Sequence, residues 1–171
     1  MALSSAQNIP LLILGSARRD SETALLANML MGQHKYKFAN LLDYSISPYA
    51  YSGIYPSTDT FDKISILIQQ HEKLILATPV YWYAMSGLMK IFFDRLTDLV
   101  TINKPTGRSL KGKKIFVLAV GSDEELPLGF EEPFRLTAAY FEMSYGGCYY
   151  CLNRKLANPQ DTAPFLEWLY T

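Results

Sequence analysis

Three stretches of this chain are apolar without alternating: IPLLILG at 9–15, KLILATP at 73–79 and KKIFVLAVGS at 113–122. A strand with one wet face alternates polar and apolar residues. Unbroken runs instead suit strands covered on both faces, as in a parallel sheet held between two layers of helices. The segments between them carry helical spacing. Apolar residues fall at Leu25, Leu26, Met29 and Leu30 within 23–33, at Phe61, Ile64, Leu67 and Ile68 within 59–70, and at Leu88, Ile91, Phe92 and Leu96 within 87–96. A weaker strand is predicted at 36–42, a fourth helix at 131–143 and a last strand at 147–152. A closing helix is expected within 158–170, where Asn158 can cap and Pro159 can take the first helical position, although the interior Pro164 favours a later start.

Five strands alternating with five helices, joined by right-handed crossovers, make a doubly wound α/β sandwich of three layers. The most economical order of its five parallel strands is 2-1-3-4-5, the flavodoxin-like order, with the switch point between strands 1 and 3. Ligands bind such sheets at the carboxyl ends of the strands, which directs attention to the loops after Leu14, Ala77 and Val120. At 171 residues, with no repeat or linker, the whole of 1–171 reads as a single domain.

Charge narrows the partners. Sixteen basic residues balance sixteen acidic ones, so no long-range field draws the molecule to nucleic acid or to an anionic membrane. No apolar run approaches the ~20 residues that cross a bilayer, and the first residues lack the pattern of a secretory leader, which points to the cytoplasm. The only cysteines, Cys148 and Cys151, lie three apart in a β-rich segment, which sends them to opposite faces of a strand and reads as structural thiols. With His34 and His71 distant in sequence, no metal site is expected.

The first of the three loops, GSARRDSET at 15–23, has neither the Gly-Lys-Ser/Thr ending of a Walker loop nor the three spaced glycines of a dinucleotide fingerprint. It offers the hydroxyls of Ser16, Ser21 and Thr23, the charged fork of Arg18, and the open N–H groups of a helix start, which together suit a compact dianion. Taken alone, the same residues also fit a plain helix cap with solvated arginines. The second loop shifts that balance, because Tyr81, Trp82 and Tyr83 stand in a row where a flat heteroaromatic ligand could lie. The third begins with Gly121 and Ser122, which allow close backbone approach. A long loop at 43–59 carries Tyr44, Tyr49, Tyr51 and Tyr55, and edging a substrate pocket or packing the loop onto the core are both open to them.

The pattern G-S-x-R-x-x-S-x-T from Gly15 to Thr23, with T-P-x-Y and G-x-x-K-x-x-x-D-R between Thr78 and Arg95, resembles the flavodoxin-like NAD(P)H-dependent FMN reductase and quinone oxidoreductase superfamily over nearly the whole chain. The resemblance implies an FMN phosphate surrounded by Ser16, Arg18, Ser21, Thr23 and the backbone of Glu22. Pro79, Val80, Tyr81, Trp82 and Tyr83 would line the isoalloxazine, and Gly121 with Ser122 would close the third side. The compact cysteine cluster of the iron–sulfur flavoproteins is missing.

The activity implied is hydride transfer from NADH or NADPH to the flavin, and onward to a small acceptor such as a quinone, flavin, azo or nitro compound. The flavin supplies the chemistry, so no side chain is expected as catalytic acid, base or nucleophile. The rival reading is a flavodoxin-type electron carrier, for which a neutral chain lacks steering charge. A flavin-free binding module would have no use for phosphate donors beside an aromatic wall. Finally, Leu88, Met89, Ile91, Phe92, Phe93 and Leu96 cover more of their helix than one sheet face buries, which predicts a homodimer or a tetramer of dimers.

Overall fold

The computed structural model describes residues 9–152 and 162–171. In chain order the elements are β1 (Leu11–Leu14), α1 (Glu22–Met31), β2 (Lys37–Asn40), α2 (Phe61–Gln70), β3 (Lys73–Tyr81), β4 (Ala84–Met85), α3 (Gly87–Arg95), α4 (Asp98–Thr101), α5 (Lys104–Arg108), β5 (Lys114–Gly121), α6 (Glu132–Tyr140), β6 (Ser144–Leu152) and α7 (Ala163–Tyr170). The main sheet runs β2-β1-β3-β5-β6 and is parallel throughout. This is the expected order, with the last two strands renumbered because β4 turns back antiparallel on the end of β3.

The three unalternating runs became the central strands. Leu11, Leu12, Ile13 and Leu14 are fully buried, and their side chains split between two cores. On one face Leu12 and Leu14 meet Leu26, Leu30 and Met31 of α1 and Phe165 and Leu169 of α7, beside the ring cluster of Phe116, Phe165 and Trp168. On the other, Leu11 and Ile13 meet Ile64 and Ile68 of α2, Met89 and Phe92 of α3, and Phe134 of α6. Each fully buried side chain of this size contributes about 1.5–3 kcal/mol, and the two cores bury both faces of β3 and β5.

β6 begins earlier than expected, at Ser144, because a bulge absorbs one extra residue between its pairings with Ile115 and Val117. Gly147 takes φ of 109° there, and the Trp168 indole sits where a Cβ on Gly146 would go. Past the bulge, Cys148 joins the α3 and α6 side and Cys151 the α1 and α7 side, on opposite faces as the spacing implied. Burial raises the pKa of both thiols, with the carboxylates of Glu131 and Glu22 respectively adding to the effect.

Elsewhere the elements differ from expectation in particular ways. The helix at 87–96 is followed by two short helices, α4 and α5, that the sequence pattern did not announce. The expected cap at Asn158 and Pro159 lies outside the described residues. Within them the closing helix starts at Ala163, with Pro164 in the first turn where its missing N–H costs nothing. The apolar stripe on α3 is largely taken up by the subunit itself: Met89, Phe92 and Leu96 are buried, and the half-buried Phe93 packs edge-on against Phe134 at 5.2 Å.

Candidate functional site

The first loop leaves β1 with the Gly15 N–H still bonded to the Ala77 carbonyl at 2.8 Å, so it starts from a fixed position beside β3. Ser21 caps α1, its Oγ accepting from the Ala24 N–H at 3.2 Å. The plain reading of Ser21 is therefore true, and the capped helix still presents its first N–H groups to the loop. Thr23 is buried in that first turn. The two arginines part ways: Arg19 pairs with Asp43 on the surface, whereas Arg18 has no ion pair or hydrogen bond among the described residues.

The second loop is a hairpin. β3 continues through Pro79 and Val80 to Tyr81, which pairs with Ala84, and the two residues at the tip, Trp82 and Tyr83, have φ of 48° and 66°. Left-handed backbone costs a bulky residue roughly 1–2 kcal/mol, and glycine or asparagine would ordinarily sit in such a turn. Instead two aromatic rings do, 91% and 67% exposed. The third loop opens with Gly121, where an added Cβ would come within 2.6 Å of the Tyr150 hydroxyl. That hydroxyl in turn donates to the Asp123 carbonyl at 2.6 Å and holds the loop down.

These three segments meet around one cavity of about 290 Å³. Its walls are Ser16, Arg18, Ser21, Glu22 and Thr23 from the first loop, Pro79, Val80 and Tyr81 from the second, and Gly121 and Ser122 from the third. Val120, the last buried side chain of β5, also faces it, and strand patterning alone had assigned that residue to the core. Trp82 and Tyr83 do not line the cavity and stand at the hairpin tip.

The polar lining can be tested against a phosphate. Ser16 is 1% exposed, and its buried Oγ has no hydrogen-bond partner among the described residues. Leaving such a hydroxyl unsatisfied costs about 1–3 kcal/mol, and this one lies beside the unpaired Arg18 and the start of α1. An anion with several acceptor oxygens answers all three groups at once, so the donor set fits the phosphate of FMN.

Comparison with known proteins places this architecture. Residues 10–155 match the model of the family described as NADPH-dependent FMN reductase. The chain belongs to that family. YwqN of Bacillus subtilis, which carries the name of an NAD(P)H-dependent FMN-containing oxidoreductase, is 33% identical over 143 residues, covering 75% of this chain and 78% of its own. Among solved structures, the Trp repressor binding protein of Bacillus subtilis superposes with a TM-score of 0.69 at 27% identity, over 94% of this chain and 95% of that one. General stress protein 14 of Treponema denticola, solved in complex with FMN, has the same fold at TM-score 0.67 and 21% identity, over 95% and 98% of the two chains. The protein is thus an FMN-dependent oxidoreductase that draws on NAD(P)H.

Within this reductase the long loop at 43–59 is fixed by Arg95, a residue quoted above only as part of a motif. Arg95 is 3% exposed at the end of α3. Its guanidinium donates to Asp59 at 2.7 and 3.3 Å, to Asp98 at 2.8 Å and to the Ser47 carbonyl at 3.0 Å, with the rings of Tyr55 and Phe61 at 3.5 and 4.6 Å. Burial by itself would raise the Asp59 pKa, but the bonds from Arg95 and from the N–H groups of Phe61 and Ser47 win and bring it to about 2. The tyrosines accordingly divide. Tyr55 donates to Asp98 at 3.0 Å and Tyr44 packs on the core, while Tyr49 and Tyr51 meet edge to face, with Tyr51 97% exposed.

Proposed function

We propose that this reductase holds FMN in the 290 Å³ cavity, with the phosphate at Ser16, Arg18, Ser21, Thr23 and the Glu22 backbone, and the ring along Pro79, Val80 and Tyr81. Gly121 and Ser122 form the far side, and Trp82 and Tyr83 cover the outer edge of the ring. The buried Ser16 hydroxyl carries this reading, because no group among the described residues bonds to it. Bound there, FMN would supply the redox chemistry, the passage of a hydride equivalent from NADH or NADPH on to a small acceptor.

The chain's own contribution is position and exclusion. The first loop anchors the phosphate end, and Gly121 leaves room for the Tyr150 hydroxyl that holds the third loop in place. Backbone N–H groups at the strand ends supply fixed dipoles toward the ring's polar edge. No carboxylate, histidine or thiol lining the cavity is assigned a proton-transfer role. The exposed aromatic tip suits flat acceptors such as quinones, flavins and azo or nitro aromatics, which could stack on the open side.

Arg18→Ala tests the phosphate end. The substitution should weaken FMN binding by about 1.5–3 kcal/mol, the scale of a hydrogen bond to a charged group, and leave the circular dichroism unchanged. Titration of flavin-stripped protein against FMN, followed by flavin fluorescence, measures the change, and an unaltered dissociation constant would return Arg18 to the solvent.

We also propose a homodimer or a tetramer of dimers, with the hairpin tip at an interface. Two exposed aromatic residues in strained backbone make sense when a second copy or a ligand covers them. Trp82→Glu should then halve the sedimentation mass at micromolar concentration, since a two-fold contact brings each substituted residue close to its own copy. A monomeric wild type under the same conditions rules the assembly out.

A further inference from the structure

Ser86 stands between the two halves of the proposed flavin site without touching the cavity. It is 1% exposed at the head of α3, and its side chain is bonded in two directions. Its Oγ donates to the Gly15 carbonyl at 2.5 Å and accepts from the Met89 N–H at 3.1 Å, while its own N–H donates to Thr78 Oγ1 at 3.0 Å. Gly15 opens the phosphate loop. Thr78 immediately precedes Pro79, where the ring wall begins, and Met85, next to Ser86, closes the hairpin by pairing with Val80. One serine thus joins the phosphate loop, the ring wall and the helix behind them. The fit at Gly15 is tight, since a Cβ there would lie 2.8 Å from Met89 Cε and 3.0 Å from Met89 Cβ.

We propose that Ser86 is a positioning residue that fixes the separation between the phosphate loop and the ring wall, so that the two ends of FMN are bound by one rigid frame. The inference rests on the FMN reading above. A phosphate adds to affinity only when its cradle stands at the distance the ring dictates. If the cradle drifts, the phosphate contacts must be bought back from loop ordering and lose most of their value. Without the Ser86 hydroxyl, the buried Gly15 carbonyl loses this bond and α3 loses its cap, while the Gly15 N–H to Ala77 bond still ties the first loop to β3.

The readout is the preference for FMN over riboflavin, which shares the ring and lacks the phosphate. In full-length protein stripped of flavin, dissociation constants for both ligands are measured for wild type, Ser86→Ala, Thr78→Val and Asn103→Ala. Ser86→Ala is expected to lower the FMN-over-riboflavin preference by about tenfold, the scale of one or two hydrogen bonds, with riboflavin affinity nearly unchanged. Thr78→Val, which keeps shape and removes the acceptor of the Ser86 N–H, should move the ratio in the same direction by less, and it carries the test if Ser86→Ala does not fold. Asn103 caps α5 through Thr106 and lies outside the cavity walls, so its loss should reduce stability and leave the ratio alone. Equal losses for both flavins in Ser86→Ala would reduce Ser86 to a helix cap and overturn the inference. A wild type that binds riboflavin as well as FMN would instead overturn the phosphate reading on which it rests.

Discussion

Arg95→Met should lower the free energy of unfolding by about 3–5 kcal/mol, the cost of breaking a buried ion pair from one side. Methionine fills the channel of the arginine stem and still lies against Phe61, so the loss is mainly electrostatic. The carboxylates of Asp59 and Asp98, each 8% exposed, would remain where the guanidinium had compensated them. The pH dependence of Asp59 gives the prediction a second signature. In the wild type Asp59 falls from an ordinary 3.8 to about 2, so its contribution is complete above the unfolded value near pH 4. It is lost as the pH drops toward 2 and amounts to about 2 kcal/mol. In the variant burial still disfavours the Asp59 carboxylate and only the N–H groups of Phe61 and Ser47 remain to hold it charged, so its pKa rises from the wild-type value and acid relieves part of the unpaired charge. Urea denaturation at pH 6 and pH 3 should therefore show the gap between the two proteins narrowing with acid. A gap that is constant with pH would assign the loss to packing.

The second large effect concerns a single methyl group. A Cβ on Gly107 would lie 2.1 Å from the carbonyl oxygen of Leu99 and 2.9 Å from its carbon, both backbone atoms that cannot rotate away. Gly107→Ala must push α5 off α4, and overpacking against main chain should cost about 3 kcal/mol or more. The same change at Gly87 meets nothing within 4 Å and falls at the first helical position of α3. There alanine should stabilise by about 0.5–1 kcal/mol through the unfolded chain. Thermal melts of the two variants should move in opposite directions, and similar shifts would show that α4 and α5 can separate at no cost. Since α4 begins with Asp98, the Gly107 variant should also loosen the loop at 43–59, which proteolysis under native conditions detects.

What the sequence revealed and what it concealed follow from how local each signal is. Runs such as LLIL and KIFVLAV carry their burial on their face, and the parallel order came from counting them. The loop proposed to hold the phosphate was visible for the same reason, since Ser16 to Thr23 form one contiguous segment. The hairpin was not, because two aromatic residues with positive φ give none of the Asn-Gly or Gly-Gly cues by which such turns are recognised. Nor were α4 and α5, one of four residues and the other built on a Lys-Pro-Thr-Gly-Arg sequence of poor helical propensity. The Arg95 network joins residues 36 apart in sequence, and Ser86 reaches Gly15 across 71. Pairings at those separations leave no periodicity to read.

The placement of the two cysteines bears on which acceptors the enzyme can survive. Quinones are Michael acceptors as well as oxidants, and the species they alkylate is the thiolate. Burial holds both thiols in the protonated form at neutral pH, and the sheet itself stands between Cys148 and Cys151. In a reductase built this way an electrophilic acceptor would meet little thiolate to alkylate, and an internal bridge would have to join two sulfurs that the sheet separates.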